Sequence, residues 1–320
     1  MGQWVAALRR RFALRGRPVH YCEAMQVSSA LVLCAGLGTR LRPLTSHVPK
    51  PLVPIGDATA LDAVLACLVG HGPLVVNAHH LAKAVVSHGR MYGVHVIEEP
   101  RLLGTAGGLA NAASALGAGA VLVWNADILA EVDSQAVVRA HEASGGAATL
   151  VVAPRARGEG TVGVGHDGRV VRLRGETFGE EAEGGDFVGI HVVGEELRAS
   201  LPTEGCMVGD VYLPALRAGL RLATHAHTSG FLDVGSVEAY LAANAAWLAW
   251  RGLTAFVHEE ASVAPGVRVE RSIVGRGADV RADVVDAVVW PETAVTREVR
   301  GAVAARPGTV RAPSRDWSPW

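Results

Sequence analysis

The sequence predicts an α/β fold: a mainly parallel sheet covered by helices on both faces, followed by a short parallel β-helix. Three observations lead there. From Ser28 onward, short apolar runs alternate with stretches of helical spacing, the alternation that places crossover helices between parallel strands. The first apolar run ends in a glycine turn rich in cations and prolines, LVLCAGLGTRLRPLTSHVPKPLVPIGD over residues 31 to 57. After a last helix the period collapses to apolar pairs separated by Gly, Pro and turn residues, the pattern of stacked short strands.

Taken in order, Leu31–Cys34 reads as a buried strand and Leu61–Val69 has helical spacing. Pro73–Asn77 reads as a strand, Leu81–His88 as a helix and Val94–Glu98 as a strand. An Ala-rich helix, Leu109–Leu116, is opened by Gly107 and Gly108, and Val121–Trp124 is the next strand. Asp133 is placed to cap a helix running to Glu142. Ligands on such sheets bind beyond the carboxyl ends of the strands, which puts the glycine turn, Asn77, Glu98 and Asp127 on one rim. Between Ala147 and Val193 short strands (Thr149–Val152, Val170–Leu173, Phe187–Val193) are divided by Gly-rich and acidic stretches, and a separate smaller sheet layer with lid-like loops is expected. Its acidic stretch, Glu176–Asp186, reads as a solvated hairpin rather than a metal site. Beyond a helix at Val237–Trp250, the residues Val263, Val267, Val269, Ile273, Val280, Val285, Val289 and Val295 recur at loosely hexad-like spacing. The expected division is an extension over 1–27 outside the fold, a catalytic domain over 28–253, a β-helix over 254–312 and a tail over 313–320.

With 320 residues, 49% of them hydrophobic, the chain can bury a large core. A formal net charge of −1 and few aromatics argue against nucleic acid as a partner, since such surfaces carry a basic excess and stacking platforms. No apolar run reaches the length that spans a bilayer. Cys22, Cys34, Cys67 and Cys206 lack a CxxC spacing and read as free thiols of a reducing, cytoplasmic compartment. Arg9, Arg10, Arg11, Arg15 and Arg17 cluster near the start with no continuous apolar stretch after them, unlike a secretory signal; Met25 is the expected natural beginning.

The glycine turn carries the chemistry. Backbone N–H groups at such a turn approach phosphate oxygens closely, and Arg40, Arg42 and Lys50 beyond it can neutralise a polyphosphate. No Gly-Lys-Ser/Thr closes it, so it is not a Walker A loop. Gly36 and Gly38 suit a dinucleotide fingerprint, and Asp57 lies where a ribose-binding acid would. But Leu41 takes the third glycine's place, and Pro49, Pro51 and Pro54 exclude a regular βαβ unit.

The run G-x-G-T-R-L-R-P-L-T followed by P-K-P-L resembles the sugar-1-phosphate nucleotidyltransferases, or NDP-sugar pyrophosphorylases. The resemblance continues in NAHHL (Asn77–Leu81), LLGTAGGL (Leu102–Leu109), WNAD (Trp124–Asp127), FVGIH (Phe187–His191) and FLDVGSVEAY (Phe231–Tyr240), and covers about residues 28 to 250. It implies a Rossmann-like sheet of the nucleotide-diphospho-sugar transferase type with a left-handed β-helix behind it. The implied reaction is attack of a sugar 1-phosphate oxygen on the α-phosphorus of an NTP, with pyrophosphate leaving. The attacking phosphate is already ionised, so catalysis rests on positioning and charge neutralisation. The resemblance assigns Arg40, Lys50 and Asp127 to catalysis and Asp127 and Asp233 to Mg²⁺. It assigns Cys34, Ala35, Gly36, Gly38, Thr39, Asn77, Gly104, Thr105, Ala106 and Gly107 to the nucleotide, and Asn125 and Gly189 to the sugar. The wording of NAHHL and LLGTAGGL with the β-helix tail favours a mannose-1-phosphate guanylyltransferase, with GTP as the nucleotide and a homo-oligomer assembled through the C-terminal domain. Two departures bear on the sugar: Ala126 replaces the usual glycine, and Arg172, Arg174 and Glu176 stand where a Glu-Lys-Pro lysine is common, as in the muramate-1-phosphate uridylyltransferase branch. The alternatives are uridylyl, adenylyl or thymidylyl transfer to another hexose 1-phosphate, and a non-catalytic NDP-sugar-binding regulator. His79 and His80 read as helix-start or core residues rather than metal ligands.

Overall fold

The computed structural model describes residues 28–306 and 308–311. The basic extension, Cys22 and the tail beyond Arg311 lie outside them. The chain forms two compact units. One holds Leu37–Ala66 and the residues from Leu232 onward; the other holds the segment ending at Gly36 together with Cys67–Phe231. The chain passes from one to the other within the glycine turn.

The second unit is built on a ten-stranded sheet. Ser29–Leu33 lies between Leu74–Ala78 and Val121–Asn125, parallel to both, and His95–Glu98 extends the parallel run beyond Leu74–Ala78. These strands are apolar on both faces, with Ala30, Leu31, Val32, Val75, Val76, Leu122 and Val123 fully buried, as a sheet covered on both sides requires. The parallel alternation expected from the sequence is present.

The segment from Ala147 to Val193 differs from expectation. Its strands join the same sheet instead of forming a separate layer. The reason is the length of Glu183–Val193: eleven residues let one end pair antiparallel with Val121–Asn125 and the other with Val162–Val164, while Ala148–Arg155 runs along its second edge. The register slips between Phe187 and His191, where Gly189 adopts φ 78°, so a bulge sits opposite the end of Val121–Asn125. Leu222–Ala226 closes that side, parallel to Ala148–Arg155.

A second difference concerns Gly107 and Gly108. They lie inside a helix, Gly104–Asn111, rather than ahead of one; a short helix, Ala113–Leu116, follows. Close packing outweighs their poor helix propensity. A methyl group on Gly107 would stand 2.7 Å from the Thr203 carbonyl oxygen, and one on Gly108 2.7 Å from Asn77 Nδ2. Asp133 caps Ser134–Ser144 as expected, its Oδ1 accepting from Ala136 N at 3.0 Å.

In the first unit the helix Val237–Arg251 is capped by Ser236, which accepts from Ala239 N, and by Gly252 at φ 66°. It holds the proline-rich loop by two hydrogen bonds: Tyr240 Oη donates to Pro54 O (2.6 Å) and Asn244 Oδ1 accepts from Gly56 N (2.9 Å). Trp290 of the β-helix donates to Tyr240 Oη at 2.9 Å. The β-helix is a three-sided stack of two-residue parallel strands around buried Val274, Val280, Val284, Val289, Val295 and Val299. The spacing is not hexad-like. Ile273 pairs with Val288 and Val288 with Val303, and residues bonded across adjacent coils, such as Arg271 and Asp286, are 15 apart. That is five residues to a side on average, the strands of one coil starting at Ile273, Asp279 and Val284 and the next coil at Val288. Gly308–Arg311 ends the stack by pairing antiparallel with Ala302–Ala305. Among the described residues no helix is long and apolar enough to cross a membrane.

Candidate functional site

The expected site residues fall on both units, and each set has its own geometry. In the first unit the prolines leave room only for short 3₁₀ turns, Thr39–Leu41, Leu44–Ser46 and Lys50–Leu52. Gly38 precedes the first of them at φ 62°. Thr45 Oγ1 donates to Gly38 O at 2.7 Å, and a methyl group on Gly38 would sit 3.1 Å from Thr45 Cγ2 and 3.2 Å from Lys50 Cβ. The loop thus curls so that the stem of Lys50 lies beside Gly38. Thr39 and Arg40 are exposed and Lys50 is half-buried. Arg40 and Asp233 both approach Gly235 although they are far apart in sequence: a methyl group on Gly235 would stand 2.8 Å from Arg40 Nη2 and 2.9 Å from Asp233 Oδ1. A guanidinium and a carboxylate therefore share the space that this glycine leaves open. Asp233 lies at the end of a short strand, Phe231–Asp233.

In the second unit the strand Ser29–Leu33 delivers Cys34, Ala35 and Gly36. Cys34 and Ala35 are 3% and 6% exposed, so only their backbone could face a ligand. Burial pushes the Cys34 thiol well up, and the nearby charge of Asp127 adds to it; this cysteine is a neutral core group. Gly36 is exposed and differs from the other motif glycines. Among the described residues nothing lies within 4 Å of where its side chain would be. In LLGTAGGL, by contrast, protein fills the space: Gly104 faces the Gly205 carbonyl, and Ala106 N donates to Gly205 O at 2.9 Å. Thr105 Oγ1 accepts from Met207 N at 2.8 Å, while Ala106 and Gly107 are buried. Of the four nucleotide candidates in this loop, Gly104 alone is exposed.

Asp127 occupies the turn between Val121–Asn125 and Ile128–Ala130, and is half-buried. Ala126 N donates to Leu33 O at 3.1 Å, and Trp124 Nε1 donates across the turn to Ile128 O at 2.9 Å. The sheet itself fixes the position of Asp127. The two sugar candidates come together: a methyl group on Gly189 would stand 2.7 Å from Asn125 Nδ2.

Several side chains near these loops make contacts that the sequence does not announce. Asn77 is 2% exposed and its amide is spent inside the protein, accepting from Cys34 N and donating to Glu99 (both 2.7 Å). The strand His95–Glu98 ends at Glu98, as the sequence predicts, and leaves that side chain exposed; the next residue, Glu99, turns inward and is buried at 4%, a role the sequence does not announce. Arg172 binds Glu181 through Nε (2.7 Å) and Nη2 (3.0 Å) and also donates to the carbonyls of Glu159, Gly160 and Val162. The acidic stretch is not a hairpin of its own: Glu176–Thr177 pairs back on Val170–Leu173 and Glu183–Asp186 begins the long strand; arginines neutralise it, Glu176 pairing with Arg217, Glu181 with Arg172 and Asp186 with Arg155. The turn between Val170–Leu173 and Glu176–Thr177, Arg174–Gly175, has φ 48° and 81°, the left-handed pair that a two-residue hairpin needs. His79 hydrogen-bonds Glu99 O through Nδ1 at 2.9 Å, a structural role.

Comparison with known proteins places the chain among related sequences and folds. The chain is similar to the N-acetylmuramate α-1-phosphate uridylyltransferase of Caulobacter vibrioides, 33% identical over 68% of this chain and 95% of that one. It is similar to the UTP–glucose-1-phosphate uridylyltransferase of Synechocystis, 27% identical over 76% and 68%, and to the mannose-1-phosphate guanylyltransferase of Mycobacterium tuberculosis, 28% identical over 78% and 76%. Among solved structures, HddC from Yersinia pseudotuberculosis shares the fold at 20% identity, with a TM-score of 0.57 over 69% of this chain and 99% of that one. The family model described as "Nucleotidyl transferase" matches residues 29–249, and the chain belongs to that family.

Proposed function

We propose that this nucleotidyltransferase moves a nucleotidyl group from an NTP to a sugar 1-phosphate and releases pyrophosphate. The observation that carries the reading is Gly36: at the end of a buried parallel strand, it faces space that no other described residue fills, where the glycines of LLGTAGGL are packed by protein. A phosphate can approach that backbone without displacing protein. Arg40 and Lys50, on the loop that continues from this glycine, neutralise the departing pyrophosphate, Arg40 as a fork and Lys50 as a point charge. Asn125 and Gly189, held against each other, face the sugar.

A divalent cation belongs to the reading. Among the described residues no three His, Cys, Asp or Glu side chains gather at a metal-sized point. The donors on offer are the carboxylates of Asp127 and Asp233, hard oxygen ligands. Either carboxylate suits Mg²⁺, which is held by one or two carboxylates and completes its shell with phosphate oxygens and water. When bound, the ion would screen charge on the reacting phosphates.

Mannose 1-phosphate with GTP is the favoured pair, on the wording of NAHHL and LLGTAGGL. A second reading, UTP with a muramate-type 1-phosphate, is favoured by the tethering of Arg172 to Glu181 and by the absence of a lysine in 172–178. Pyrophosphate release across GTP, UTP, ATP and dTTP paired with mannose, glucose and N-acetylmuramate 1-phosphates decides. GTP with mannose 1-phosphate should give the highest kcat/KM. UTP with the muramate substrate leading would install the second reading, and no turnover with any pair would sink both.

A further inference from the structure

We infer that Asn77 and Glu99 form a donor–acceptor relay that positions the glycine turn against the start of the Gly104–Asn111 helix, and that Glu99 is thereby a positioning residue for the NTP. The inference rests on the function proposed above. The relay has two fixed ends, both backbone N–H donors. At one end Cys34 N donates to Asn77 Oδ1 at 2.7 Å; at the other Leu103 N donates to Glu99 Oε2 at 3.3 Å. Between them Asn77 Nδ2 donates to Glu99 Oε1 at 2.7 Å. Cys34 stands two residues before the open Gly36, and Leu103 directly precedes the exposed Gly104. The relay therefore ties together the two loops that the family resemblance assigns to the nucleotide.

The side-chain types follow from counting donors. With an N–H at each end, three hydrogen bonds in series need a middle that accepts twice outward and donates once inward. A carboxylate only accepts, and an amide has one accepting and one donating end. Asn77 with Glu99 satisfies every link. Glu99→Gln cannot: whichever way the two amides turn, one N–H must face another N–H. The pair is 2% and 4% exposed, so water cannot relieve the mismatch, and an unmet buried donor is costly. Gly108 closes the relay from the helix side, since a methyl group there would stand 2.7 Å from Asn77 Nδ2 and 3.0 Å from Glu99 Oε1. Moving the carboxylate by one place restores the count. In Asn77→Asp/Glu99→Gln, residue 77 accepts from Cys34 N and from the new amide, which in turn accepts from Leu103 N.

The test compares the wild-type chain with Glu99→Gln, Asn77→Asp and the double variant. The readouts are steady-state KM for NTP and for sugar phosphate, calorimetric Kd for GTP and UTP, and the thermal midpoint. Each single variant should weaken NTP binding about tenfold or more, with KM for the sugar phosphate moving far less. The double variant should return NTP binding close to wild type. Should a single variant fail to fold, a folded, NTP-binding double variant carries the inference and an unfolded one overturns it. The inference also falls if the double variant is no better than the singles, or if the singles lose folded fraction while NTP affinity per folded molecule is unchanged. Because Kd is read separately from turnover, a chain that binds NTP but transfers nothing would sink the proposed function while leaving the relay standing; a chain that binds no NTP would sink both.

Discussion

Gly36 and Asp127 make the site testable one residue at a time. Gly36 lies outside the left-handed region, and nothing described crowds its missing side chain. Gly36→Ala should therefore leave the thermal midpoint within a degree or two while lowering kcat/KM for NTP by about tenfold or more, because the methyl group takes the space of an approaching phosphate. A drop in stability without a kinetic effect would remove Gly36 from the substrate surface. At Asp127 the logic is charge. Its place in the turn is fixed by backbone bonds from Ala126 and by Trp124, so Asp127→Asn keeps the shape and removes the negative oxygen. Mg²⁺-dependent pyrophosphate release should be lost with the circular dichroism spectrum unchanged; near-wild-type turnover would rule out its role as a ligand.

Among the elements, two arginine–carboxylate systems separate a structural ion pair from a decorative one. Arg172 and Glu181 have side chains only 17% and 12% exposed, and Arg172 also serves three backbone carbonyls at the 159–162 turn. Arg172→Ala leaves an inward carboxylate and several acceptors unmet, so unfolding free energy should fall by about 2–3 kcal/mol in a urea titration. Arg271 pairs with Asp286 on the outside of the coil stack, with its side chain 53% exposed, and Arg271→Ala should cost no more than about 0.5 kcal/mol. Equal costs would mean that the hairpin pair is a surface pair too. The same elements explain what could be read from sequence. The parallel strands and the glycine loop announced themselves because apolar runs, prolines and glycines act locally. Proline alone forces the short turns around Lys50. Features set by contacts distant in sequence stayed hidden. Gly107 and Gly108 read as a helix opener because nothing nearby announces Thr203 or Asn77, which make them small. Glu99 went unread because Glu98 beside it has the same chemistry, and only the sheet decides which of them turns inward. The five-residue side of the coil was hidden because its turns vary in content and valines mark both its inner and its edge positions.

Across the whole molecule, histidine burial sets how stability responds to acid. His191 is 2% exposed on the Glu183–Val193 strand, its Nδ1 hydrogen-bonded to the Tyr212 hydroxyl, and burial brings its pKa from 6.5 down to about 3. His71 lies between Ser28 and Ser134, and His141 faces Thr149; burial lowers both. In the unfolded chain each would take up a proton near pH 6.5, while in the fold they resist it. Below that pH the unfolded state binds more protons, so stability falls as pH falls through the window between the unfolded and folded values. The arginine-paired carboxylates act lower: Glu176 and Glu181 are held below their ordinary 4.5, principally by hydrogen bonds from Arg217 and Arg172, and their contribution is lost only in stronger acid. Between pH 6.5 and 5 the histidines therefore govern the slope, at most about 1.4 kcal/mol per pH unit for each group fully engaged. Urea midpoints should be level from pH 8 to 7 and drop steadily from 6.5 to 5. In His191→Gln, which removes the titrating ring but keeps a polar partner for Tyr212, the drop should be shallower. A flat wild-type profile down to pH 5 would mean that these rings take up protons within the fold, and an unchanged slope in the variant would move the effect from His191 to the other rings that burial lowers, His71, His141, His225 and His227.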